Sequence, residues 1–310
     1  MMLKYIGKRL LALIPILLGV TFIVFAIMSL TPGDPGTLML GPTAPREAID
    51  QLNHELGYDQ PFLKRYVQYV SNAIKGDFGK SYRTHRPVFE DIFAKFPTTL
   101  LLAVFGVAVA TLIGVPIGIL SAVRQYSALD IVSVVGAMLL ASMPGFWLGL
   151  MLIQLFSLKL SWLPSSGTGS LLNYVMPVLT LAGPTAAQIL RLTRSTMLEV
   201  IRQDYIRTAR AKGATERDIV WKHALRNALL PVVTVVGMNF GSLLGGTILV
   251  ESVFALPGLG TLVLTAIRMK DIPQVMATVI FLASIFSVIM LLVDILYAYI
   301  DPRLRSLYAK

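Results

Sequence analysis

Few residues in this sequence are placed to do covalent chemistry. The three histidines, His54, His85 and His223, lie far apart and make no pair at metal-ligand spacing. Cysteine is absent, which removes thiolate metal sites and disulfides without fixing a compartment. The segment GDFGKS at 76–81 carries the Gly-Lys-Ser of a phosphate loop. That loop needs a glycine five residues before Gly79, and Ile74 stands there. No nucleophile elbow, H-E-x-x-H or Walker motif occurs. The expectation is a chain with no catalytic residues, no cofactor and no built-in metal site.

What remains are charges beside long apolar runs, where an ionisable group is a functional suspect. Asp130 and Glu251 lie at the ends of such runs, and Asp294 about a turn from the end of the last. Each reads either as half of an interfacial ion pair or as a gating or coupling group. A proton- or sodium-coupled transporter buries several ionisable groups near mid-membrane, and this sequence places none there. Its energy must enter from outside. The best input point is the basic stretch 199–231, EVIRQDYIRTARAKGATERDIVWKHALRNALLP, with periodic Ile206, Ala209, Ile219 and Leu225 between its charges. Gly213 suits the left-handed end of one helix, and Thr215 with Asp218 resembles a capping box opening the next. The expectation is a pair of short surface helices hinged at Gly213, a docking knob rather than a basic loop lying on anionic headgroups.

The elements that must carry this knob are membrane spans. The 310 residues are 55% hydrophobic and 14% charged, against about 25% charged in soluble domains. The net charge of +10 is explained by topology, since basic residues collect on cytoplasmic loops, and not by nucleic acid. Lys4, Lys8 and Arg9 precede a run from Leu10 to Leu30. It is too long for a signal-peptide core and no A-x-A site follows, so it reads as an uncleaved first span. Further spans are expected at roughly 98–122, 129–157 (kinked at Pro144-Gly145), 174–190, 229–250 and 273–298.

Placing both termini in the cytoplasm leaves three basic residues at the N-terminus, Arg124, nine in 191–228 and three after the last span on that side. Opposite them are Lys159, Arg268 and Lys270, apart from the long 31–97 loop, whose charges count little. The expected fold is all-α and polytopic, with six spans and N- and C-termini cytoplasmic. The divisions are a first helix at 1–30, an extracytoplasmic helical region at 31–97, a transmembrane core at 98–298 with a cytoplasmic loop at 191–228, and a cytoplasmic tail at 299–310. In 31–97, amphipathic pieces are expected after Pro45, after Pro61 and through Val88, Ile92 and Phe96, forming a cap on the membrane. Gly237, Gly241 and Gly245 share one face of the fifth span, either for close helix packing or as a sliding, pathway-facing surface. Asn239 and Ser242 are its polar residues and either could face a pathway. Residues 251–272, broken at Pro257-Gly258, read as a re-entrant or interfacial segment.

The segments RTARAKG at 207–213 and HALRNALLP at 223–231 resemble the coupling loop of ABC importer permeases, in the dipeptide/oligopeptide/nickel family and its B-type (first permease) branch. Arg207-Thr208 stands where the general importer signature has Glu-Ala, Ala228 takes its Ile position, and the spacing from Gly213 to Pro231 is longer. Those departures are typical of the peptide/nickel branch. PGDP (32–35), LGYDQP (56–61), GDFGKS, RPV (86–88), PGFWLG (144–149), WLPSSG (162–167), RLTRSTMLEV (191–200), ESVFALPGLG (251–260) and LVDILYAYIDPR (292–303) are similar to that family in its order, over essentially the whole chain.

The resemblance implies the type I ABC importer fold in a bacterial cytoplasmic (inner) membrane. It also implies four kinds of partner beyond membrane lipid: a second homologous permease, two ABC ATPases, an extracytoplasmic substrate-binding protein, and as cargo small di- or oligopeptides, with glutathione or a nickel chelate as the alternative. It places the ATPase contact on Asp204, Tyr205, Arg207, Thr208, Ala209, Lys212, Gly213, Ala214 and Glu216. Glu251, Pro257 and Gly258 become candidates for a gate or a receptor contact.

Overall fold

A computed structural model describes residues 2–300, apart from the side chains of most of the first ten residues and of 296–300. The expected tail at 299–310 therefore lies almost wholly outside the described residues. The chain divides into two compact units, Met1–Thr99 with Pro257–Val288, and Leu100–Leu256 with Ile289–Lys310.

The first unit begins with α1 (Met2–Leu30). The short helices α2 (Pro35–Leu40), α3 (Arg46–Glu55) and α4 (Phe62–Ile74) follow. Phe22 and Phe25 of α1 meet Phe62 and Tyr66 of α4 ring to ring, and the Tyr66 hydroxyl donates to the Leu18 carbonyl at 2.9 Å. The PGDP turn is built around Asp34. Its carboxylate caps α2 by accepting from Thr37 N–H at 2.7 Å and also accepts from the Asn53 amide at 2.7 Å. Gly36 must be glycine, because a Cβ there would stand 2.8 Å from the Ile49 carbonyl oxygen of α3. Burial alone would raise the Asp34 pKa; the Thr37 and Asn53 hydrogen bonds and the Lys270 charge outweigh it and hold the carboxyl below its ordinary value. Lys270 is buried and donates to the Thr31 and Gly33 carbonyls and to the Tyr58 hydroxyl. Helix α13 (Leu259–Arg268) and the first part of α14 (Ile272–Ile300) complete this unit.

The expected third amphipathic piece is not separate. Residues 88–96 are the opening of one helix, α5 (Val88–Val123). Pro97 is accommodated inside it, as membrane helices tolerate. At 36 residues it measures about 54 Å, well beyond the ~30 Å of a bilayer core.

In the second unit, the expected kink at Pro144-Gly145 is a full break. Helix α6 (Ala128–Ser142) and helix α7 (Gly145–Leu152), which continues through the wide turn Ile153–Lys159, meet at 103°. The cause is local: Met143 is extended (φ −80°, ψ 129°), as a residue before proline prefers. Then come α8 (Val175–Ile201), α9 (Asp204–Ala211), the single turn α10 (Glu216–Asp218), α11 (Leu225–Gly246) and α12 (Ile248–Val253). Among the described residues, five helices are long and apolar enough to cross a membrane, and the bent pair makes six if counted as one span.

Close backbone-to-backbone helix contact also falls on glycines outside the expected stripe. A Cβ on Gly114 or Gly118 of α5 would stand 2.8 Å from the Ala186 or Leu190 carbonyl oxygen of α8. In the 237–245 stripe, Gly237 is pressed against Val293 and Gly241 is buried, while Gly245 faces open space. The stripe is thus a packing surface at its start only. Asn239 is half-buried and its amide nitrogen has no partner; Ser242 is exposed.

Candidate functional site: the loop between α8 and α11

Asp204 opens α9 one residue after Gln203, its extended N-cap (φ −69°, ψ 151°). The helix has eight residues, too few to be stable alone in water, so packing must hold it. Ile206 does this. It is fully buried in a cluster with Met197 of α8, Ile219, Val220, Ala224 and Ala228 at the start of the next span, and Ile119 and Ala122 at the end of α5. The Tyr205 hydroxyl adds a second tie by accepting from the Asn227 amide at 2.7 Å.

The end of α9 is a Schellman turn. Gly213 N–H donates to the Arg210 carbonyl at 2.9 Å and Ala214 N–H to the Ala209 carbonyl at 3.1 Å. Gly213 has φ +86° and open space around a would-be Cβ, so glycine is favoured by backbone conformation and not by crowding. Arg210 bridges the turn to Glu216 with bonds of 2.7 and 3.2 Å. The Glu216 hydrogen bond raises the Arg210 guanidinium further above its ordinary value. The pair is largely exposed and adds little stability. Thr215 caps the next helix, accepting from Asp218 N–H at 3.2 Å. The box is half-formed: the shorter Asp218 carboxylate reaches back to the Thr215 hydroxyl, at 2.7 Å, where a longer Glu would reach the backbone.

The helix so begun is not a second short surface helix. Glu216–Asp218, a wide turn at Ile219–Ala224 and α11 form one continuous span from Glu216 to Gly246. The knob is therefore one short helix, α9, and the head of a membrane helix, joined by the Gly213 turn. Asp204, Tyr205, Arg207, Thr208, Lys212, Gly213 and Glu216 are exposed on it, and Ala209 is half-buried. Ala214 packs against the cluster beneath. Trp221 is exposed beside this surface, a large apolar side chain that the charge pattern did not single out.

The remaining suspects fall elsewhere. Glu251 is fully buried in α12 and accepts from the Thr247 hydroxyl at 2.7 Å, so its side chain is not on a surface. Pro257 and Gly258 precede α13, where Gly258 serves as its N-cap. Asp294 is half-buried. Asp130 is held by several partners. It receives two bonds from Arg194 of α8, at 2.6 and 2.8 Å, one from the Ser121 hydroxyl at 2.5 Å and one from Tyr126 N–H at 2.9 Å. Arg194 also lines a cleft of about 750 Å³ between α6, α8 and α11, with Gln188, Arg191 and Ser195. None of the residues proposed from sequence for a pathway lines it.

The same sequence agrees with known proteins over nearly its full length. Residues 114–306 match the family described as binding-protein-dependent transport system inner membrane component, and residues 2–103 match its N-terminal counterpart. The chain is 44% identical over 304 residues to the glutathione transport system permease protein GsiC of Escherichia coli K12, covering 98% of this chain and 99% of that protein. GsiC of Shigella flexneri gives the same identity and coverage. In fold it is similar to the MetNI methionine ABC transporter in inward-facing form (TM-score 0.56, 22% identity, 70% of this chain and 99% of that one). An amino acid ABC transporter crystallised with histidines gives TM-score 0.52 at 18% identity, with 69% and 94% covered. The chain belongs to the binding-protein-dependent transport system inner membrane component family, as a B-type permease of the peptide and glutathione branch: a multi-pass subunit of a bacterial ABC importer in the inner membrane, and not itself an enzyme.

Proposed function

We propose that this permease forms half of a translocation path for glutathione and related short peptides. The observation that carries this is the 44% identity, end to end, with glutathione permeases. It favours the glutathione reading over general di- and oligopeptides, and nothing specific favours a nickel chelate. In this reading the bent pair α6–α7 counts as one of six spans, both termini are cytoplasmic, and 31–97 is extracytoplasmic, facing the binding protein.

The knob at 204–216 docks on one of two ATPases, beside a second permease carrying the equivalent contact. The geometry supports a rigid lever. Ile206 is sunk in a cluster fed by three long helices, so a push on α9 moves the ends of α5, α8 and α11 together. The reading is tested by reconstituting the permease pair, ATPases and binding protein in proteoliposomes. ATP-dependent uptake of radiolabelled glutathione is expected to exceed that of Ala-Ala. Uptake of Ala-Ala alone would reassign the cargo, and transport by this chain without ATPases would refute the importer role.

A further inference from the structure

The cleft in the second unit has a chemical character of its own. Pro184, Gln188, Arg191 and Ser195 recur at helical spacing along one stripe of α8 and face Val134 of α6. Its volume of about 750 Å³ falls in the range of small-molecule sites, roughly 300–1,000 Å³. Arg194 is neutralised by Asp130 at its edge. Arg191 is exposed and, among the described residues, has no acidic partner. The cleft thus holds an uncompensated guanidinium, flanked by the Gln188 amide and the Ser195 hydroxyl. Such a donor set lacks one thing, an anion with several acceptor lone pairs in a plane, and a carboxylate supplies it in bidentate form.

We propose that this cleft is a substrate subsite for the C-terminal carboxylate of a peptide-type cargo, with Arg191 as its specificity-determining residue. The inference rests on the peptide and glutathione reading above. A guanidinium near the end of a span could instead meet a lipid phosphate, so the test separates the two.

The probe is equilibrium binding of radiolabelled glutathione, and of its glycine-amide analogue, to the purified nucleotide-free complex of permeases and ATPases without binding protein. It is measured in nanodiscs with and without phosphatidylglycerol. Wild type is expected to prefer the acid. R191A is expected to lose about tenfold in acid affinity, about 1.4 kcal/mol, with amide affinity unchanged in both lipids. R191K is expected to recover only part, because an ammonium is not a bidentate fork. Equal losses for acid and amide, no loss for either, or a loss confined to phosphatidylglycerol and fully restored by R191K would overturn the subsite. If wild type binds no glutathione, the cargo reading fails separately. Ala-Ala and its amide then decide the subsite, and no acid preference, or one that survives R191A, overturns it.

Discussion

Ile206→Ala is the perturbation that separates holding the knob from holding the membrane body. Ile206 is completely buried, and truncating such a side chain to alanine costs about 2–5 kcal/mol. The other ties on α9 are weaker: the Tyr205–Asn227 hydrogen bond is worth about 1 kcal/mol, and the exposed Arg210–Glu216 pair about 0–1 kcal/mol. Ile206 therefore supplies most of what docks an eight-residue helix that has no stability of its own. A loss of about 3 kcal/mol changes the docked-to-undocked ratio by roughly a hundredfold. The spans do not depend on it, so the subunit stays in the membrane. The assay is the number of substrate molecules imported per ATP hydrolysed in proteoliposomes, beside amide exchange of 204–211. Ile206→Ala is expected to lower that ratio severely and to speed exchange. Ile206→Val, costing about 0.5–1.5 kcal/mol, should lower it slightly, and Asn227→Ala, costing about 1 kcal/mol, should lower it to a similar extent. Normal coupling in Ile206→Ala with unchanged exchange would refute the lever.

Gly118→Ala should destabilise the purified protein by about 1–3 kcal/mol, read as a lower Tm, because its Cβ would meet the Leu190 carbonyl and Thr193; Gly245→Ala, in open space, should leave Tm unchanged. Asp130→Asn should lower Tm by the equivalent of about 3 kcal/mol or less, since Arg194 loses its charged partner but keeps a partly exposed head. In the first unit, the Asp34 carboxyl is held below its ordinary value in the fold. Its stabilisation is full above that ordinary value and is lost as pH falls through the depressed one. Amide protection of 36–56, taken relative to the intrinsic exchange rate at each pH, should therefore fall on acidification in that window, and Asp34→Asn should abolish that fall.

The loop's place was readable because charge and apolar periodicity both change at 199–231, and Gly213 and Thr215 carry their turn and cap chemistry in their own side chains. The continuity of Glu216 with α11 was not readable. The charges Lys222, His223 and Arg226 look like surface, but they line the exposed side of a helix whose buried side, Ile219, Val220 and Ala224, already belongs to the core. Pro144 announced a bend but not its 103°, which depends on Met143 turning extended. The glycine stripe that catches the eye, 237–245, is only partly used. The close-packing pair Gly114 and Gly118 is spaced identically but hides among apolar residues, and only the facing α8 backbone shows why it matters. In sequence Arg191 and Arg194 are alike as charges on the cytoplasmic side, and only the fold shows that Asp130 neutralises Arg194 and not Arg191.

The absence of cysteine allows the central claim, that α9 is the ATPase contact, to be tested with one reporter thiol at a time. T208C places it on the exposed face of α9, and S71C on exposed α4 serves as the control. Maleimide labelling of each is compared in the isolated permease pair and in the complex with ATPases. The account predicts that T208C is labelled readily in the first and protected in the second, with S71C labelled alike in both. Equal labelling of T208C with and without the ATPases would contradict it.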